Sequence, residues 1–194
     1  MNNQKTLFIT HAAVIAALYV VLTHVANALG LANYAIQVRF SEALTILPFF
    51  TPAAIPGLFI GCIISNITTG CMLLDVIFGS VATLLGALGT YFISHGVKKY
   101  SSPDFFCTSK LRTWLCPLPP IIANTIIVPL VLIHVYKIEG TLPYFMLTVF
   151  IGEVISCFVL GMLLLFALIK EKMPSLEITE LKKTTLNNIE QPAD

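Results

Sequence analysis

The sequence has few charged residues, and this scarcity decides the class of protein. Only 11% of its 194 residues are Asp, Glu, Lys or Arg, whereas 57% are hydrophobic. A soluble domain carries about 25% charged residues, so the composition predicts an integral membrane protein in contact with a lipid bilayer, folded as one bundle. The sequence also lacks a basic tract, and we therefore expect no nucleic-acid partner.

Several catalytic and cofactor motifs are absent as well. The sequence has no GxxxxGK[ST] loop for ATP, no GxSxG elbow, no HExxH pair and no CxxC pair. The cysteines number five, and two of them, Cys62 and Cys157, lie in apolar runs where cysteine acts as a small hydrophobic residue. We therefore expect a protein that is not an enzyme and that holds neither a metal nor another cofactor.

The hydrophobic runs predict an all-α membrane protein with six transmembrane helices. A helix needs about 20 apolar residues to cross a hydrocarbon core of about 30 Å. The six predicted spans, of which the second and third are short and flanked by proline, are Leu7–Leu29, Val38–Phe50, Ala54–Thr68, Leu73–His95, Leu115–Tyr136 and Leu142–Ile169. The two short spans could instead form a re-entrant hairpin, and short spans interrupted by proline often line a binding site.

The basic residues outside these spans predict the orientation. By the positive-inside rule, regions rich in Lys and Arg lie on the cytoplasmic side. Six crossings place all three basic regions there and give an N-in, C-in topology. We predict one transmembrane domain, 1–172, and a polar cytoplasmic tail, 173–194, disordered at its end. The basic residues are Lys5, then Lys98, Lys99, Lys110 and Arg112, then Lys170, Lys172, Lys182 and Lys183.

A few strongly polar residues interrupt the apolar runs. A charge at the membrane centre costs about 2.5–3.5 kcal/mol on insertion scales, so such residues are usually paired and functional. On the six-span topology most of these polar residues lie toward the outer side, where they could line one cavity. They are Asn27, Gln37, Arg39, Glu42, Asn66, Asp75, Asn124 and Glu153.

Structural roles remain open for some of these residues. Arg39 and Glu42 are three residues apart, so on a helix they share a face and could form a structural ion pair. Asp75 could cap the start of the fourth span. Hydrogen bonds between neighbouring helices could account for two asparagines, Asn66 and Asn124. Glu153 has no cation nearby in the sequence, and an unpaired carboxylate in a span needs a partner.

Alanines recur at four-residue spacing in the first span. The two pairs are Ala12 with Ala16 and Ala13 with Ala17. Small residues at this spacing let helices approach closely in a membrane. The pairs are consistent with ordinary packing inside the bundle and also with docking onto a partner protein.

Two segments of the sequence resemble the QueT family. They are VRFSEALTILPFFTPAAIPGLFIGCIISN, Val38 to Asn66, and LDVIFGSVATLLGA, Leu74 to Ala87. The resemblance implies a substrate-binding S component of an energy-coupling factor (ECF) transporter in a bacterial cell membrane, with the six-helix S-component bundle. It also implies a membrane coupling protein, the T component, and two ATPase subunits as partners. The alanine pairs resemble the docking motif of S components.

The resemblance also implies a queuosine precursor as ligand, a 7-deazaguanine such as preQ1, preQ0 or queuine. A carboxylate can accept two adjacent N–H groups of such a base, and a second can neutralise the aminomethyl cation of preQ1. Glu42 and Glu153 could divide these two tasks. Gln37, Asn66 or Arg39 could donate to the carbonyl oxygen, and the aromatic candidates to stack on the ring are Tyr34, Phe40 and Phe50.

Two other classes of function, a secondary transporter and a membrane enzyme, would make different demands on the sequence. A stand-alone, proton-coupled secondary transporter of a small heterocyclic solute would use Glu42 or Glu153 as its proton carrier. A membrane enzyme acting on lipid or peptide would need a nucleophile or a metal beside a base, and the sequence shows no such set.

Overall fold

The computed structural model describes residues 3–31, 38–95 and 110–171, and every regular element in these ranges is helical. The α-helices are α1 (Asn3–Ala28), α2 (Ala54–Thr68), α3 (Leu73–His95), α4 (Lys110–Leu115), α5 (Leu118–His134) and α6 (Leu142–Glu153). A 3₁₀ helix, Phe40–Phe49, lies between α1 and α2. A π-helix, Val154–Leu160, continues α6, and α-helix resumes for residues 161–171. The predicted tail, 173–194, lies outside the described residues.

Four helical stretches are long and apolar enough to cross a membrane. They are Gln4–Ala28, Leu73–His95, Arg112–His134 and Leu142–Glu171. The described residues therefore form a multi-pass, all-α membrane protein, as predicted. The predicted bounds of the third and fourth spans coincide with those of α2 and α3. The 3₁₀ helix and α2 are shorter than the other four stretches, so six full crossings stay a prediction.

The second predicted span is a 3₁₀ helix of ten residues rather than a transmembrane α-helix. At a rise of about 2.0 Å per residue it extends about 20 Å, less than the hydrocarbon core. Pro48 lies inside it and lacks the N–H that an α-helical hydrogen bond requires. Side chains three residues apart eclipse each other in a 3₁₀ helix, and here Glu42, Thr45 and Pro48 form one buried row.

This short helix occupies the middle of the bundle. It packs against α1, α3 and the π-helix, while α1–α2, α2–α3, α3–α5 and α5–α6 are neighbouring pairs around it. The loops place the ends of α1, α2 and α5 and the starts of α3 and α6 on one side of the bundle, which we call the site end. The 3₁₀ helix therefore brings Glu42 and Thr45 into an interior where Thr83 and Asn124 are also buried.

Helices α1 and α2 approach closely at two glycines. A Cβ atom added at Gly57 would lie 2.7 Å from the Ala12 carbonyl oxygen. At Gly61 it would lie 2.8 Å from the Tyr19 Cβ and 3.0 Å from the Ala16 carbonyl oxygen. Both alanines of the first predicted docking pair, Ala12 and Ala16, therefore serve packing inside the bundle. Ala13 and Ala17 are exposed, so of the four predicted docking alanines these two remain accessible, and docking itself stays a prediction.

Replacing Gly61 by alanine is expected to lower the thermal midpoint of unfolding in detergent, because the new methyl group would force α1 away from α2. Overpacking of this kind costs about 1–3 kcal/mol. The control is Gly161→Ala, whose Cβ would lie at an ordinary contact distance of 3.5 Å from the Ala43 carbonyl oxygen. Equal midpoints for the two variants would contradict the close packing.

Candidate functional site

Glu42 is the most connected polar residue in the interior, although only 1% of its surface is exposed. Its Oε1 accepts hydrogen bonds from the Tyr19 hydroxyl at 2.5 Å and the Thr83 hydroxyl at 3.4 Å. Its Oε2 accepts from the Asn124 amide at 3.4 Å. A buried charge is tolerated when it is hydrogen-bonded in this way, and here the donors come from α1, α3 and α5.

The π-helix that follows Glu153 supports the same region. Its Ser156 hydroxyl accepts a hydrogen bond from the backbone N–H of Arg39 at 3.0 Å. Its Cys157 thiol donates to Glu153 Oε2 at 3.2 Å and lies 3.6 Å from the Glu42 carbonyl oxygen. π-Helical turns are rare and frequent at functional sites, and this one fixes the start of the 3₁₀ helix against α6.

Three potential metal ligands meet at this point. One side-chain ligand atom from each of Glu42, Glu153 and Cys157 lies within 4.8 Å of the other two, and all three residues are buried. Sequence spacing indicated no clustered ligands, and the fold creates the cluster by packing the 3₁₀ helix against the π-helix that begins after Glu153. Glu42 accepts from three protein donors and Cys157 donates to Glu153, so hydrogen bonds within the protein hold these three side chains.

A cavity of about 270 Å³ opens at the site end, next to Tyr19. Among the described residues that line it, two are charged, Arg39 and Asp75. Ser41 lines it as well; its hydroxyl is buried and has no hydrogen-bond partner among the described residues. Buried polar groups are normally paired, so an unpaired hydroxyl at a cavity wall is suited to a ligand. The lining side chains are those of Tyr19, Thr23, Ala26, Asn27, Arg39, Ser41, Asn66, Thr69, Cys71, Asp75, Val128, Leu132, Tyr136 and Ile138.

Arg39 precedes the 3₁₀ helix in an extended conformation. Its guanidinium is influenced electrostatically by Asp75 and Glu42, yet within the described ranges it forms no direct ion pair with either of them. The simple structural ion pair between Arg39 and Glu42 is therefore absent from these residues. A cation held near carboxylates without direct contact is available to a ligand in the cavity.

Asp75 is held by a tyrosine that follows the end of α5. The Tyr136 hydroxyl donates to Asp75 Oδ2 at 2.8 Å and accepts from the Met72 backbone N–H at 3.2 Å. Burial, together with the hydrogen bond to Asp75, raises the pKa of the Tyr136 phenol to about 12, so the phenol keeps its proton at neutral pH and remains the donor. This contact joins the α2–α3 link to the α5–α6 link beside the cavity.

Comparisons with known proteins identify the family. A family model described as QueT transporter matches residues 9–170. The chain belongs to the QueT transporter family. A curated relative, the queuosine precursor transporter QueT of Lactococcus lactis subsp. cremoris (strain MG1363), is 35% identical over 114 residues, covering 58% of this chain and 63% of the relative. The chain thus spans less than two thirds of that relative's length. No solved structure gives a significant match.

In this member of the QueT family, the predicted site residues separate into two layers. Arg39 and Asn66 line the cavity, while Glu42 and Glu153 lie together in the interior and are not among the described residues that line it. Phe40 is half-buried and, within the same part of the chain, is also absent from the lining. Two further candidates, Gln37 and Tyr34, lie outside the described residues.

Sequence reasoning missed Tyr19, which connects the two layers of this QueT protein. Its side chain lines the cavity, and its hydroxyl donates to Glu42. A signal for it existed, because a tyrosine in the middle of an apolar helix normally finds a hydrogen-bond partner for its hydroxyl. Ser41 and Tyr136 were also missed; both needed the tertiary structure, since neither stands out from its neighbours in the sequence.

Proposed function

We propose that this protein is the membrane-embedded substrate-binding subunit of an ECF-type importer and that it binds a 7-deazaguanine precursor of queuosine from outside the cell. Membership of the QueT transporter family supports a role in transport. The ligand class follows from the name of the Lactococcus relative, a queuosine precursor transporter. In this proposal the site end faces outward, and both termini lie in the cytoplasm of a bacterium.

The observation that carries the proposal is the cavity at the site end. Its volume of about 270 Å³ is near the lower limit of small-molecule sites, which begin at about 300 Å³, and suits one planar bicyclic base. Such a base needs a donor for its carbonyl oxygen and acceptors for its N–H groups. Arg39 and Asn66 supply donors, Asp75 supplies an acceptor, and Ser41 supplies a hydroxyl without another partner.

Glu42 and Glu153 lie beneath this cavity, and Glu42 acts on the site without lining it. Glu42 fixes the hydroxyl of Tyr19, whose side chain forms part of the cavity wall. Glu153 lies beside Glu42, and its carboxyl group accepts a hydrogen bond from the Cys157 thiol. We therefore assign Glu42 a positioning role through Tyr19.

The coupling part of the proposal concerns the opposite end of the bundle. Six crossings bring the first turns of α1 to the cytoplasmic side. Ala13 and Ala17 are exposed toward the middle of α1 and form the surface on which the T component docks, together with its two ATPase subunits. The ATPases supply the energy for import.

The proposal is tested by mass spectrometry of small molecules released from the detergent-purified protein. We expect a 7-deazaguanine to copurify, and calorimetry with preQ1, preQ0 and queuine to give nanomolar dissociation constants, equivalent to about −12 kcal/mol. Adenine serves as the control and should not bind. Absence of any copurified deazaguanine, together with no heat from all three ligands, would refute the ligand assignment.

The buried carboxylate pair favours a second candidate, proton-coupled transport by this chain alone. Glu42 and Glu153 lie close together in a helical bundle, and intramembrane carboxylates serve as proton relays in pumps and transporters. Uptake by the purified protein in liposomes, driven by a pH gradient without ATP, would establish this candidate. Uptake only with the T component and ATPases would establish the ECF proposal.

A further inference from the structure

Asp75 lines the cavity. In this it differs from the two buried glutamates, Glu42 and Glu153, which are not among the described residues of the lining. It was a candidate for capping α3, yet its carboxylate accepts from the Tyr136 hydroxyl; within the described ranges it accepts from no backbone N–H of α3. Tyr136 engages Oδ2, and in the same ranges no hydrogen bond reaches Oδ1. The structure thus holds a carboxylate in place and leaves one oxygen available.

Acidic groups outnumber basic groups around the cavity. Two carboxylates, those of Asp75 and Glu42, act on the single guanidinium of Arg39. Arg39 is the one basic side chain among the described residues that line the cavity. In a low-dielectric interior, an excess of negative groups favours a ligand that brings a positive charge.

Arg39 and Asp75 line the same cavity without forming an ion pair in the described part of the chain. Two opposite charges held apart in this way match a ligand with a hydrogen-bond acceptor at one position and a cation at another. A 7-deazaguanine with an aminomethyl group has both features, namely its ring carbonyl oxygen and its ammonium group.

We propose that Asp75 determines specificity by binding the positively charged amino group of the ligand, while Arg39 faces the carbonyl oxygen. This inference rests on the proposed function and adds a preference for precursors that carry an ammonium group. The hydroxyl of Tyr136 orients Asp75 for this contact. Glu42 contributes through its negative charge beneath the cavity and through its hydrogen bond with Tyr19, and neither Glu42 nor Glu153 contacts the ligand.

The test compares two ligands that differ at one group. PreQ1 carries the aminomethyl cation, and preQ0 carries a neutral nitrile in its place. Binding of each is measured by calorimetry in detergent for the wild-type protein, Asp75→Asn and Tyr136→Phe. We expect Asp75→Asn to weaken preQ1 at least tenfold and to change preQ0 less than threefold. Tyr136→Phe retains the carboxylate but removes the hydrogen bond that orients it, so the preference for preQ1 should be smaller than in the wild-type protein but still present.

Other results overturn the inference in distinguishable ways. An equal loss for both ligands in Asp75→Asn would show a merely structural role, and unchanged preQ1 binding would show that Asp75 does not contact the cation. If the wild-type protein binds neither ligand, the proposed function itself fails. If Asp75→Asn does not fold, the wild-type protein decides: at least tenfold tighter binding of preQ1 than preQ0 supports the inference, and no preference overturns it.

Discussion

Replacing Ala13 by leucine is expected to abolish uptake while ligand binding by the isolated subunit stays unchanged. Ala13 is exposed toward the middle of α1, and on the proposed topology it faces the T component. A leucine at position 13 would hold α1 away from the T component, because helices approach closely in a membrane only where the residues at their interface are small. The measurements are uptake by cells or proteoliposomes, copurification with the T component and ATPases, and calorimetry of the isolated protein.

The control for this prediction is Ala167→Leu, which makes the same change at another exposed position, in the helical stretch that ends at residue 171. It should leave uptake intact. Ala16→Leu is a poor test, because Ala16 is buried against Gly61 and the change would damage the bundle. If Ala13→Leu copurifies normally with the coupling proteins, α1 is not the docking surface and the coupling proposal must be revised.

The second large effect is expected for Glu42→Gln, which should weaken ligand binding at least tenfold, or about 1.4 kcal/mol. The amide keeps the shape of the side chain, and the Asn124 amide can rotate to accept from it, so the fold should survive. The charge that holds the Tyr19 hydroxyl at 2.5 Å is lost, since a hydrogen bond to a charged group is stronger than one between neutral groups. Calorimetry gives the affinity, and thermal unfolding in detergent gives the stability.

A double-mutant cycle distinguishes a positioning role from direct contact with ligand. If Glu42 acts through Tyr19, then Tyr19→Phe should weaken binding by a similar factor, and the double variant should be no worse than either single variant. Additive losses would show that Glu42 contacts the ligand itself. The matched control is Glu139→Gln, at an exposed position in the α5–α6 link, which should bind like the wild-type protein.

Local sequence signals were sufficient for most of the helices. The predicted bounds of α2 and α3 were correct, because Pro52 and Gly70 mark the turns that precede them and polar residues follow their ends. The 3₁₀ helix was not predicted, although Pro48 and the short length of the run were visible. Its conformation depends on packing against α1, α3 and the π-helix, which hydropathy does not report.

The partners of the buried acids could not be derived from the sequence. Glu42 meets Tyr19 across 23 positions and Asn124 across 82 positions, and such contacts exist only when the helices pack in one specific arrangement. The expectation that Glu42 and Glu153 line the cavity came from their depth in the predicted spans. The structure instead places Tyr19 between Glu42 and the cavity that it lines.

Composition and the length of the hydrophobic runs alone determined that this chain is a helical membrane protein, because the cost of placing polar groups in lipid acts on each segment separately. The same cost singled out Arg39, Glu42, Asp75 and Glu153 as residues that require an explanation. Only the tertiary structure decided which of them reach the cavity and which remain beneath it. That division depends on the side-chain geometry of helices far apart in the chain, and no local pattern encodes it.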